Sequence, residues 1–166
     1  WRNSDDAVIG GPYIWNYGGV TGWIEFDILY VDIAADTDYT VSISTEPPEN
    51  VINYPNLSDL SVGGNNGLHL FYPADAGKFT ETRGARPTSS FNHGDYGRDI
   101  LFVPSAPPPE TIFPDTKVLG DINFDDTYYE LGTVFRASVP GKITHLRVYS
   151  LASGSADHTD LLWRNS

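Results

Sequence analysis

Gly120-Asp121-Ile122-Asn123-Phe124-Asp125-Asp126 sets four oxygen-bearing side chains within seven residues. On an extended segment Asp121, Asn123 and Asp125 point the same way with Asp126 beside them, the donor set a hard cation such as Ca²⁺ takes. No Gly and distal Glu follow at the positions an EF-hand requires, and the plainer reading is a solvated acidic turn. Tyr13, Trp15, Tyr17 and Trp23 lie on short segments beside glycine pairs. Their flat rings are candidates for stacking on a sugar, although strand aromatics more commonly fill cores or pair across strands. Asn56-Leu57-Ser58 is the one complete N-glycosylation triplet.

Catalytic patterns are missing. The histidines His69, His93, His145 and His158 form no His-x-x-x-His pair. His158 lies between Asp157 and Asp160, an arrangement read as structural before catalytic. No Gly-x-Ser-x-Gly elbow occurs; Gly154-Ser155-Ala156 lacks the rest of it. Glu25, Asp27, Glu81, Asp95 and Asp99 are plentiful, but paired acids must meet in a cleft. The expectation is that the chain is not an enzyme and needs no cofactor, with calcium the one candidate ion.

The elements that would position these residues are strands. Pro12–Tyr17 is aromatic-rich, and Trp23–Ile33 alternates Ile24, Phe26, Ile28 and Tyr30 with Trp23, Glu25, Asp27 and Leu29. Tyr39–Ser44 has one apolar face and one hydroxyl face. Leu68–Tyr72, Asp99–Val103 and His158–Trp163 are further strands, separated by polar loops over 46–67 and 83–98. Tyr128–Ser138 and Ile143–Ser150 are expected to pair as a hairpin across Val139-Pro140-Gly141-Lys142. Apolar spacing of three and four is nowhere sustained, and 16 Gly with 12 Pro suit many strands joined by turns.

Composition narrows the partners. A formal net charge of −12 repels nucleic acid. No apolar run approaches membrane-spanning length, so membrane insertion is not expected. Cysteine and methionine are both absent, which excludes disulfides and thiolate metal sites and suits exposure to oxidants outside a cell.

Trp1-Arg2-Asn3-Ser4 recurs as Trp163-Arg164-Asn165-Ser166. Coincidence or an expression remnant is the bland explanation; the sharper one is a window onto a polypeptide whose unit repeats at this interval. Ser105-Ala106-Pro107-Pro108-Pro109-Glu110 reads as an extended, semi-rigid spacer. The organisation expected is therefore 1–105, a Pro-rich linker over 106–117, and 118–166.

Joined across the repeated tetrapeptide, the order becomes Tyr129-Glu130-Leu131-Gly132-Thr133-Val134-Phe135, then His158 ahead of Leu161-Leu162-Trp163. Gly22-Trp23-Ile24, Tyr39-Thr40-Val41-Ser42, Phe71-Tyr72 and Tyr96-Gly97-Arg98-Asp99-Ile100-Leu101-Phe102-Val103-Pro104 follow. In that order the chain resembles a family of tandem bacterial extracellular modules of unassigned function, over most of its length except the linker and the loop around Asn56. The resemblance implies an all-β fold, an antiparallel, jelly-roll-like β-sandwich. The family's amino-terminal part here follows its carboxy-terminal part. The chain is thus either a circularly permuted module or two halves of adjacent modules, completed by strands of its own or of a neighbouring copy. The functional expectation is an extracellular or cell-surface structural repeat that builds a fibre, stalk or matrix with head-to-tail copies of itself. The alternative is a carbohydrate-binding accessory module with a polysaccharide partner.

Overall fold

The computed structural model describes residues 7–16, 18, 20–45, 64–65, 69–91, 94, 96–105, 108–116, 127–150 and 157–165. Eleven strands and no helix occur among them: β1 (Ala7–Asn16), β2 (Gly22–Ile33), β3 (Asp38–Thr45), β4 (Gly64–Asn65), β5 (Leu70–Tyr72), β6 (Gly77–Thr80), β7 (Arg98–Pro104), β8 (Glu110–Thr111), β9 (Tyr129–Ala137), β10 (Gly141–Ser150) and β11 (Asp157–Arg164). They build two antiparallel sheets packed face to face, a β-sandwich. One sheet runs β1-β11-β3-β9-β5-β4, with β6 also on β9; the other runs β2-β10-β7-β8.

Alternation explains the layers. In β3, Tyr39, Val41 and Ile43 belong to the core, where Tyr39 stacks on Phe135 with ring centroids 5.7 Å apart. The partners across the layer are Ile33, Ile100, Phe102, Ile143 and Leu146, inner-face residues of β2, β7 and β10. The hydroxyl face of β3 is buried as well: Thr40, Ser42 and Ser44 are all inaccessible. Trp163 Nε1 donates to Ser42 Oγ at 2.9 Å, and the Ser42 and Ser44 hydroxyls donate to Glu130 at 2.6 and 2.5 Å. Those bonds satisfy groups that an apolar cover would leave costly.

The last third of the chain supplies central strands to both sheets. β11 lies between β1 and β3, β9 pairs with β3, and β10 lies between β2 and β7. In this chain, therefore, β9–β11 complete both sheets begun by the strands that precede them.

The expected hairpin of β9 with β10 does not form. β9 belongs to one sheet and β10 to the other, so residues 138–140 cross between the layers. Turn residues of this kind fit a two-sheet arch as well as a hairpin. Here the arch is tied to β7, because Pro140 O accepts from Ser105 N (3.3 Å) and Ser105 Oγ (3.0 Å). At Gly141 a Cβ would sit 2.3 Å from the Phe102 ring, so the crossing requires a residue without a side chain.

The Pro-rich stretch is more than a spacer where it is described. Glu110–Thr111 pairs with β7, and Ile112 and Phe113 are buried in the main core cluster. The extended geometry expected of the prolines feeds a strap that lies on the sandwich.

Candidate functional site

Two features stand out: the seam where β1 meets β11, and two sets of buried charges, one beside that seam and one beneath the strap. Along the seam, Ala7 pairs with Arg164, Tyr13 with Asp160, Ile14 with Thr159 and Trp15 with His158. Register shifts fall between Val8 and Gly10 and between Gly10 and Tyr13, where Gly10-Gly11-Pro12 bulges the edge strand. Gly11 has φ +105, and a Cβ there would lie 2.6 Å from Asp160 O. Glycine is required by both conformation and space. At the far end of β11, Trp163 is buried, Asn165 N donates to Asp38 O at 2.7 Å, and Thr40 Oγ1 donates to Asn165 Oδ1 at 2.9 Å. The carboxy-terminal Trp-Arg-Asn is therefore built into β11 and its exit.

Asp160 and His158 share the inner face of β11 with Leu162. Asp160 is completely enclosed; its Oδ2 accepts from Trp15 Nε1, and its Oδ1 has no hydrogen-bond partner among the described residues. Burial pushes the carboxyl up to about 8, against the pull of the Arg98 guanidinium and the Trp15 bond, with Glu130 adding to the rise. Glu130 is also raised by burial, opposed by the Ser42 and Ser44 hydroxyls, the Gly84 N–H and the Arg83 charge. His158 Nδ1 lies 3.4 Å from Ser44 O, and its ring is 6.1 Å from that of Trp15.

The second charge cluster fastens the strap. Asp99, fully buried on β7, accepts from Ile100 N and Ile112 N at 2.7 Å each and from Phe113 N at 3.2 Å. Arg147 on β10 donates through Nη1 to Asp99 at 2.8 Å and to Phe113 O at 3.3 Å, and through Nη2 to Asp115. Its Nε is 3.0 Å from Glu25, and its guanidinium lies 4.9 Å from the Trp23 ring centroid. Burial pushes the Asp99 carboxyl up to about 7, held down by Arg147 and the three N–H groups. At the start of the strap Glu110 accepts from His69 N and Leu70 N at 2.8 and 2.9 Å, with His69 Nδ1 2.7 Å away. One carboxylate ties the strap to β5 of the larger sheet, the other to β7 and β10 of the smaller.

No family model, curated protein or solved structure matches the chain.

The candidate ligand-binding residues do not form one platform. Tyr13 and Trp15 share the inner side of β1 and pack on the core; Trp15 also lies 3.5 Å, centroid to centroid, from Phe26. Trp23 is on the outer side of β2, stacked on Phe113 at 5.9 Å and edge-on to Tyr149 at 5.5 Å. Tyr17, the glycosylation candidate Asn56, and the cation candidates Asp121, Asn123, Asp125 and Asp126 lie outside the described residues. Among the described residues, no three His, Asp or Glu side chains converge as a metal site would need.

Sequence reasoning noticed Asp99 only as one of many carboxylates, and Asp160 only as a neighbour of His158. It named Glu110, Glu130 and Arg98 only as parts of longer motifs, without a role for their charges, and passed over Arg147. Period-two alternation carries the missed signal: Asp160 is two residues before core Leu162, and Arg98 two before Ile100. A charge in phase with the buried face needs a partner or must lose its charge. The charges that are described address one another and the backbone, and that chemistry holds strands and strap together.

Proposed function

We propose that the chain is a secreted or cell-surface structural repeat, a sandwich module that recurs head to tail in a fibre, stalk or matrix. The observation that carries this reading is the seam. The tetrapeptide recurring in the sequence coincides with the end of β11, and that end lies beside the start of β1 through the Arg164–Ala7 pair. A repeat cut at this position would place the same four residues at each junction. The absence of cysteine and methionine and the charge of −12 agree with an oxidising, wet surrounding. Like-charged copies also resist collapsing on one another. The carbohydrate-binding alternative leans on Tyr13, Trp15, Tyr17 and Trp23; the three described rings are engaged in packing, so the structural reading is preferred.

Chains of two and four units, each continuing the next at the shared tetrapeptide, test the proposal by small-angle scattering. The expected result is a string whose maximum dimension grows in proportion to copy number. A dimension that stops growing, or indefinite aggregation, would refute it.

A further inference from the structure

Resting on the repeat reading, we propose that in the array each sandwich is shared between copies: β9–β11 of one copy pair with β1–β8 of the next. The partner of this seam is thus a second copy of the chain, and chain reach decides it. Continuing past Arg164 at the shared tetrapeptide, the polypeptide runs Asn165, Ser166, Asp5, Asp6 and then Ala7. Arg164 and Ala7 are cross-strand partners in the sandwich, so their Cα atoms are about 5 Å apart. Four residues between antiparallel neighbours make a short hairpin loop, and Asn, Ser, Asp and Asp are each turn formers.

Pairing within one copy places a severe demand on the same four residues. They would have to connect Arg164 of one sandwich to Ala7 of another, a span of at most about 17 Å. Both positions lie at the end of the sandwich that carries the 34–37 and 138–140 turns: Tyr39 pairs with Arg164 and Phe135, and Gly141 pairs with Ile33 and Pro104. Two whole sandwiches would have to abut through those turns. The connection between strap and β9 is longer, from Thr116 to Thr127 across residues 117–126, and reaches about 35 Å or more. The tight link belongs inside a sandwich and the long link between sandwiches. In the shared arrangement every unit uses the short connection as a hairpin and the long one as a spacer.

The test uses a two-copy chain and engineered cysteines, which report without background because the protein has none. Ile14 and Thr159 face each other across β1 and β11, and cross-strand spacing suits a disulfide. One variant carries Thr159→Cys in the first copy and Ile14→Cys in the second; the other carries both substitutions in the first copy. Oxidation, with a short bismaleimide as a second bridging agent, followed by proteolysis and mass spectrometry, reads which strands are paired. The expected result is a predominant bridge in the split variant and little in the same-copy variant. The opposite pattern overturns the proposal, and so does a folded two-copy chain that bridges in neither. Failure of the array reading shows separately: scattering then reports collapse or aggregation whichever bridge forms, whereas a same-copy bridge in an elongated chain overturns only the sharing of sandwiches.

Discussion

Replacing Asp160 by Asn tests whether an acid enclosed between sheets is carried neutral. Asp160 has a folded-state value of about 8 against 3.8 for an unperturbed aspartate. Between those values the folded chain holds a proton that the unfolded chain has released, so stability falls as pH rises from about 4 to about 8. The slope is about 1.4 kcal/mol per pH unit, and at pH 7 the accumulated cost is about 4 kcal/mol. Asn copies the protonated acid in shape and still accepts from Trp15 Nε1, but has no proton to lose. Asp160→Asn should therefore raise unfolding free energy by about 3–4 kcal/mol at pH 7 and change it little at pH 4. Urea unfolding of both proteins at pH 4, 5.5, 7 and 8.5 measures this. Carboxylates remote from this site titrate alike in the two proteins, so the difference between the curves reports Asp160 together with its coupled neighbour Glu130. The reasoning is refuted if Asp160→Asn is destabilised at pH 7, because Asp160 would then be the ionised counter-charge of buried Arg98. A difference between the curves that does not vary with pH would refute it as well.

Arg147→Met should strand the Asp99 carboxylate beside three N–H groups and release Asp115. Losing one partner of a buried pair costs about 3–5 kcal/mol, and limited proteolysis should cut first within 108–116, with the wild-type chain resistant there. Gly141→Ala places a methyl 2.3 Å from the Phe102 ring and 2.6 Å from Val103 O; overpacking of this kind costs about 1–3 kcal/mol, visible as a lowered Tm, and a Phe102→Leu background should recover part of the loss.

The all-β class and most strands were legible because period two survives in short windows: β2, β3, β7, β9, β10 and β11 fall within a few residues of where alternation and turn residues place them. What stayed illegible was pairing. Val139-Pro140-Gly141 has the composition of a hairpin turn, and only the neighbours available on each side decide that β9 joins β3 while β10 joins β2 and β7. β6 and β8 escaped notice because they are short and each pairs along one side of a longer strand. The strap was hidden for a related reason. Three prolines announce extended backbone but not what it lies upon, and Ile112-Phe113 reveals its role only when Asp99 and Arg147 come together from β7 and β10. The buried charges were misjudged because a surplus of acids makes each look ordinary.

Sharing sandwiches between copies also resolves a conflict between topology and folding. Read along this chain, β1 must wait for β11, its partner from nearly the other end of the sequence. β2 and β3 likewise wait for β10 and β9, and long loops must close before any of those ladders stabilises the fold. Meanwhile β2 and β3 would present unpaired backbone and apolar faces, the state most exposed to wrong pairing. Starting the unit at β9 places β11 and β1 on either side of a four-residue turn and brings β2 and β3 nearer in sequence to β10 and β9. Only the β7–β10 and β5/β6–β9 pairings become longer-range. The seam is then the most local contact of the unit, available to nucleate the larger sheet. A bulged, glycine- and proline-bearing edge strand such as β1 is a weak competitor for partners at a distance. A turn that delivers it directly to β11 is what such a strand requires.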